Sequence, residues 1–230
     1  MEKIFETSNL SKVYGEIEEL KFKALDSVNL TIEKGEFVSI VGPSGSGKST
    51  LLNLISGLDE PTNGEIRISG KELGKMKQSD LSDFRRDHIG FIFQSYNLIP
   101  VLTVKENVEY VMVLQGVSES KRHERVLEVL KEVGLEGKEN RFPKELSGGQ
   151  QQRVAVARAI ASKPDIILAD EPTANLDSQT GKDLVEMMRK LNEDHGITFV
   201  FSTHDPIIME RAKRLIVLKD GKISEDMNRD

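Results

Sequence analysis

The chain has 230 residues, 37% of them hydrophobic and 30% charged, with a formal net charge of −6 and no cysteine. Its length points to one core carrying an inserted or appended subdomain, the missing thiols exclude disulfides and cysteine-based zinc sites, and the acidic total argues against nucleic acid or an anionic membrane surface as a partner. No apolar run approaches the roughly 18 residues that a membrane-spanning helix needs, and the start Met1-Glu2-Lys3-Ile4-Phe5-Glu6 has no secretory pattern, so residence in the cytoplasm is expected, with membrane contact only through another protein.

In chain order, β-branched and aromatic residues predict strands over Lys3–Tyr14, Ala24–Ile32 and Phe37–Val41, with Lys34-Gly35 breaking the last two. A glycine-rich loop follows, then a helix over Lys48–Ser56, a turn at Glu60-Pro61-Thr62-Asn63-Gly64 and a short strand over Glu65–Ser69. Ile89–Phe93 is a compact apolar run of the kind a buried strand shows, although periodicity alone does not separate it from buried helix. Between Leu102 and Leu130 the texture turns helical, and Val126, Leu127, Val129, Leu130 and Val133 read as one apolar face. Beyond Pro143 the pattern alternates again, with helix Gly148–Ser162, strand Asp165–Ala169, helix Gln179–Glu193 and strand Ile197–Ser202. Such βαβ order implies a parallel sheet covered by helices on both faces. Leu215–Leu218, Lys219-Asp220-Gly221 and Lys222-Ile223 predict a hairpin with Asp-Gly as its turn.

Two local motifs carry chemistry. Gly42-Pro43-Ser44-Gly45-Ser46-Gly47-Lys48-Ser49 matches G-x-x-x-x-G-K-[ST], follows an apolar strand and opens a helix that continues through Thr50. Backbone N–H groups of such a loop wrap a β-phosphate, the helix start adds positive potential, Lys48 neutralises β/γ oxygens and Ser49 ligates Mg2+. Ile166-Ile167-Leu168-Ala169-Asp170-Glu171 is an apolar strand ending in two carboxylates, at the sheet edge where ligands collect. Asp170 is expected to hold Mg2+ through its hydration shell and Glu171 to polarise the attacking water.

A third motif separates this chain from other nucleotide-hydrolysing folds. Leu146-Ser147-Gly148-Gly149-Gln150, followed by Gln151-Gln152-Arg153, resembles the signature of ATP-binding cassette proteins letter for letter. Physically, a serine and two glycines opening a helix form a second anion site. The resemblance implies an α/β fold: a RecA-like P-loop NTPase core with a mostly parallel sheet (residues 1–93 and 163–230), an N-terminal antiparallel β part, and an inserted α-helical signature subdomain (94–162). It also implies that two copies pack head to tail, with the signature of one closing over the ATP of the other.

Other positions follow from the same resemblance. Tyr14 is similar to the aromatic that stacks on adenine, and Gln94 to the glutamine that senses Mg2+ and water and joins the helical part to the core. Asn175-Leu176-Asp177 resembles the loop that crosses the dimer interface, with Ala174-Asn175 standing where Ser-Ala is commoner, and His204 resembles the histidine that contacts the γ-phosphate. His88, His123 and His195 read as surface residues, and Met187 and Met188 as packing.

The implied activity is ATP hydrolysis, with Mg2+ as cofactor, in a subunit that drives transport through a separate transmembrane permease docking near Gln94–Pro100, on the cytoplasmic face of the membrane. Gly90–Val108 and the acidic insertion Glu16–Glu19 resemble the lipoprotein-releasing, macrolide-export and antimicrobial-peptide-resistance group. The rivals are a cassette ATPase acting on nucleic acid and one that switches a cell-division complex. Against the first, the chain has no long coiled-coil insertion between the two nucleotide motifs, no second cassette and no basic excess; against the second, Glu171 and His204 favour turnover over a mere switch.

Overall fold

The structure, a computed structural model, describes residues 2–15 and 21–229. Strands β1 (Lys3–Tyr14) and β2 (Phe22–Glu33) pair antiparallel, β4 (Asn63–Ile68) joins the other edge of β1, and the two-residue β5 (Lys71–Glu72) lies beyond it. The second sheet comprises β3 (Phe37–Val41), β6 (Ile89–Ile92), β7 (Ile166–Asp170), β8 (Thr198–Ser202), β9 (Arg214–Lys219) and β10 (Lys222–Asn228), in the order β10-β9-β3-β8-β7-β6. Its pairs are parallel except the β9–β10 hairpin, as the alternating pattern predicts. Parallel neighbours send their carboxyl ends to one edge. Ile40 lies beside Ser202, Ser202 beside Asp170, and Ile92 beside Ala169.

Every residue of β3 and β8 is buried, which is why these strands read as continuous apolar runs. The pleat still sorts their side chains. Val38, Ile40 and Val200 pack with α1 (Lys48–Ile55), α2 (Gln78–His88) and the antiparallel sheet, whereas Phe37, Phe199 and Phe201 face the helices on the other side. That second layer contains α3 (Val104–Leu114), α4 (Glu119–Glu132), α5 (Gly148–Ala161), α6 (Ser178–His195) and α7 (Pro206–Arg211).

The helical stretch expected from Leu102 to Leu130 is two helices. Thr103 and Glu106 form a reciprocal capping box at the start of α3, Gly116 turns the chain out of it at φ +72°, and α4 begins after Ser118. Val126, Val129, Leu130 and Val133 are buried, but Leu127 is exposed, because it stands a quarter turn off that face. The short helices α2 and α7 were not predicted. In α2 only Leu81 and Phe84 are buried, too few to print an apolar stripe. β10 runs to Asn228, beyond the expected hairpin. Met187 and Met188 are buried as expected. His123 and His195 are exposed, whereas His88 is half-buried, stacked on Phe84 and bonded to Asp165 at 2.7 Å, so it is no plain surface residue. The expected acidic insertion Glu16–Glu19 lies outside the described residues.

Phe201 sits at the centre of the helix-side core, fully buried, with its ring centroid 4.7 Å from that of Phe37 and 5.8 Å from that of Phe199. Phe201→Ala is expected to cost about 3–5 kcal/mol, because the cavity cannot collapse between rigid strands; urea unfolding measures it.

Candidate active site

The loop after β3 is held by close contacts that admit no side chain at two positions. A Cβ on Gly42 would stand 2.1 Å from Leu218 O, and one on Gly47, whose φ is +104°, would stand 2.5 Å from Ala24 O. The β9–β10 turn closes over the loop from the far end of the chain: Gly221 N donates to Ser46 O at 3.1 Å and Gly221 O accepts from Asp26 N at 2.9 Å. Gly47 in the left-handed region starts α1, whose first amides have no partner within the helix. Lys48 Nζ donates to Gly42 O at 2.8 Å and to Pro43 O at 3.0 Å, which folds the ammonium back over the loop.

This loop walls a cavity of 660 Å3, lined by Gly42, Pro43, Ser44, Gly45, Gly47, Lys48, Ser49 and Thr50 together with Phe22, Gln94, Glu171, Ser202 and His204. Ser46 is buried under it. The three strand ends thus meet the phosphate loop. Gln94 follows β6, Glu171 follows β7, and His204 follows β8 by two residues.

The carboxylates differ in how they are held. Asp170 accepts from Ser202 Oγ at 2.8 Å, across the β7–β8 ladder. Glu171 has left the strand geometry, with φ +45°, a conformation a non-glycine residue adopts only where its surroundings enforce it. Its amide donates to Ser202 O at 2.9 Å, and its two oxygens accept from Thr203 Oγ1 at 2.8 Å and from His204 Nδ1 at 2.6 Å. An ionised carboxylate only accepts, so His204 carries its hydrogen on Nδ1. Glu171 is largely covered, while His204 is open to solvent.

Tyr14 stands apart from the cavity lining. Its hydroxyl donates to Asp59 Oδ2 at 2.6 Å and Lys12 Nζ lies 4.9 Å from its ring centroid; burial, then the Asp59 bond, push its phenol up. The aromatic that lines the cavity is its cross-strand partner Phe22, 57% exposed. Sequence reasoning missed Phe22, Ser202 and Thr203. Phe22 lay just before the predicted start of β2, and the two hydroxyls hide in an ordinary strand end.

The remaining predicted residues gather elsewhere. Ser147 is the exposed N-cap of α5, in a reciprocal box with Gln150 (3.3 and 3.1 Å). Gly149 is closed on by α6, since a Cβ there would stand 2.4 Å from Thr180 Cγ2. A Cβ on Gly148 would stand 2.9 Å from the Tyr96 hydroxyl. Asp177 caps α6, and the bonds from Thr180 and Gln179 hold its carboxyl below the usual range. None of these residues lines the cavity of the phosphate loop. One chain therefore carries a loop for phosphates and, at a separate place, two adjacent helix starts.

The family model described as ABC transporter matches residues 25–174. The chain belongs to the ABC transporter family. It is an ATPase of that family, and its fold is that of the ATP-binding cassette. MJ0796, an uncharacterized ABC transporter ATP-binding protein of Methanocaldococcus jannaschii, is 50% identical over 222 residues, 95% of this chain and 94% of that protein. A dimeric post-hydrolysis structure of the MJ0796 cassette bound to ADP and Pi superposes with a TM-score of 0.89 at 47% identity, covering 99% of both chains. The macrolide export ATP-binding/permease protein MacB of Mannheimia succiniciproducens is 48% identical over 223 residues, 97% of this chain and 34% of MacB. These likenesses agree with the MacB-like group that the Gly90–Val108 stretch resembles.

Beside Tyr14, burial pushes the Asp59 carboxyl up, but hydrogen bonds from Lys12, Tyr14 and the Glu60 amide outweigh it and set it below the usual range. A depressed carboxyl stabilises the fold fully above its unfolded pKa, about 3.9, and that contribution is lost as pH falls through the lower folded value. Urea midpoints of wild type are expected to drop more steeply than those of Asp59→Asn as pH is lowered below about 4.

Proposed function

We propose that the chain powers transport through a separate transmembrane permease as one of two identical subunits, each α5 start closing over the ATP held by the other's phosphate loop. Lys48 and Glu171 face one cavity, and this convergence carries the catalytic part of the reading. The exposed Ser147 cap, remote from that cavity, and the dimeric MJ0796 cassette support the head-to-tail pair. The name of MacB, which joins ATP-binding and permease functions, supports a membrane partner. Among the described residues no helix is long and apolar enough to cross a membrane, and the proposed location is the cytoplasmic face, reached through the permease. In this reading residues 94–162 are the helical part and 1–93 with 163–230 the ATP-binding part.

In the mechanism, loop amides and Lys48 neutralise the β- and γ-phosphates, and Glu171 accepts a hydrogen bond from the attacking water and aims it in line. Thr203 and His204 hold the carboxylate by its two oxygens, so little reorganisation is left for the reaction itself. His204, exposed and lining the same cavity, takes the role of contacting the γ-phosphate in this reading. Tyr14, or the Phe22 ring beside it, borders the adenine, and Asp177 faces the second copy.

Mg2+ suits the donors available: the Ser49 hydroxyl, the Gln94 amide oxygen and, through water, Asp170 are all oxygen ligands. Among the described residues no group of three or more His, Cys, Asp or Glu side chains could hold a metal alone, which fits an ion shared with phosphate oxygens. When bound, Mg2+ would supply charge neutralisation at the phosphates.

Replacing the water-orienting carboxylate while keeping its shape separates binding from turnover. Glu171→Gln is expected to hydrolyse ATP at least ~100-fold more slowly and to double in mass from 25.7 kDa in light scattering with Mg-ATP. A mutant that binds ATP but stays monomeric would contradict the two-copy clamp. Lys48→Ala is expected to lose saturable ATP binding in calorimetry while melting close to wild type, since among the described residues its amine hydrogen-bonds to loop carbonyls alone.

A further inference from the structure

The helix whose start is assigned above to the partner's nucleotide carries, one turn further in, a fully buried glutamine, Gln152. Its side-chain nitrogen donates to two backbone carbonyls from distant parts of the chain, Phe93 O at 3.3 Å and Pro172 O at 2.7 Å. Phe93 immediately precedes Gln94, and Pro172 immediately follows Glu171. Carbonyls only accept, so the amide nitrogen must face them. The amide oxygen is thereby turned into the protein, where it is buried with no partner among the described residues.

Packing alone does not account for such a residue. The unpaired oxygen costs stability, and an apolar side chain of the same shape would only exchange it for an unpaired Pro172 carbonyl, so the residue's worth lies in the two backbones its nitrogen joins. Both backbones that Gln152 holds are also conformationally demanding. Glu171 has φ +45°, and Tyr96 and Asn97 have φ +60° and +50°. The carbonyls of Tyr96 and Asn97 accept from Arg158, also on α5, whose guanidinium burial holds below the usual range. Helix α5 therefore grips the loop after β6 at two levels and the turn after β7 at one.

We infer that Gln152 is a positioning residue for hydrolysis: it locks the backbone beside Gln94 and Glu171 together, so that the helix docking on the partner's ATP sets the geometry of the catalytic carboxylate in its own cavity. The cross-copy half of this statement rests on the head-to-tail reading; the grip on Glu171 does not. Seating of α5 against a nucleotide would then be transmitted through one side chain to the water-orienting group of the opposite site.

Two variants of the full chain test it, with ATP turnover, Mg-ATP calorimetry and melting measured together. Gln152→Glu replaces the donor by an oxygen. Its ionised form faces two carbonyls without a proton, whereas its protonated form can donate to one. Its kcat is expected to fall about 10- to 100-fold at pH 8 and to recover as pH is lowered, a titration absent from wild type assayed in parallel, with ATP affinity unchanged within about twofold. Gln152→Met removes both the donor and the unpaired acceptor. It is expected to stay folded at the assay temperature, since losing the unpaired Oε1 offsets leaving Pro172 O without its donor, to have the same low kcat at every pH, and to lose cooperativity in ATP. Wild-type kcat in Gln152→Met would overturn the inference. So would kcat losses matched by equal losses of ATP affinity, or melting of both variants below the assay temperature, which would make Gln152 a packing residue. If wild type itself shows no ATP-dependent dimer and no cooperativity, the head-to-tail reading fails, and the kcat of the two variants still decides the grip on Glu171.

Discussion

The parallel register of β6, β7, β8 and β3 is the constraint on which the site depends. Each strand is four or five residues long and ends at the same edge, so residues far apart in sequence are delivered to one place without any long-range device of their own. Ser202 shows the economy of this arrangement. As the residue between β3 and β7 in register, it gives its hydroxyl to Asp170 and its carbonyl to the Glu171 amide. A slip of one residue in that ladder would exchange inner for outer side chains and carry both carboxylates away from the phosphate loop.

The site is built so that its demanding conformations are enforced from outside. Glu171 could not hold its left-handed backbone by itself; the ladder below it, the Thr203 and His204 bonds on its oxygens, and the Gln152 bond beside it share that task. Rigid placement of a water-orienting carboxylate is what phosphoryl transfer requires of a protein, since the reaction needs alignment and charge compensation more than covalent participation. Under the proposed role of Glu171, the helical layer is thus joined to the chemistry through Gln152 and does more than cover a sheet.

Sequence made some of this legible and hid the rest for physical reasons. The phosphate loop, the acidic strand end and the signature are short and local, so their letters carried their geometry. The parallel strands showed because burial on both faces leaves continuous apolar runs, as in Phe199-Val200-Phe201. Helix α2 buries only Leu81 and Phe84 and so had no stripe to find. Helix α7 did carry a signal, the cap Asp205 followed by Pro206 in the first turn, which its six-residue length made easy to pass over. Phe22 beside the cavity and Gln152 beneath it were illegible because their roles depend on pairings, Tyr14 with Phe22 and α5 with two separate loops, that appear only when the chain is folded.

The contact between the phosphate loop and the β9–β10 turn bears on how the protein is made. Residues 42–49 leave the ribosome early, yet Leu218 O, against which Gly42 is fitted, and Gly221 N, which bonds Ser46 O, come some 170 residues later. The phosphate loop therefore lacks the turn that backs it throughout most of synthesis. A nascent chain completes the packing behind its phosphate loop only after Gly221 has been added and has emerged.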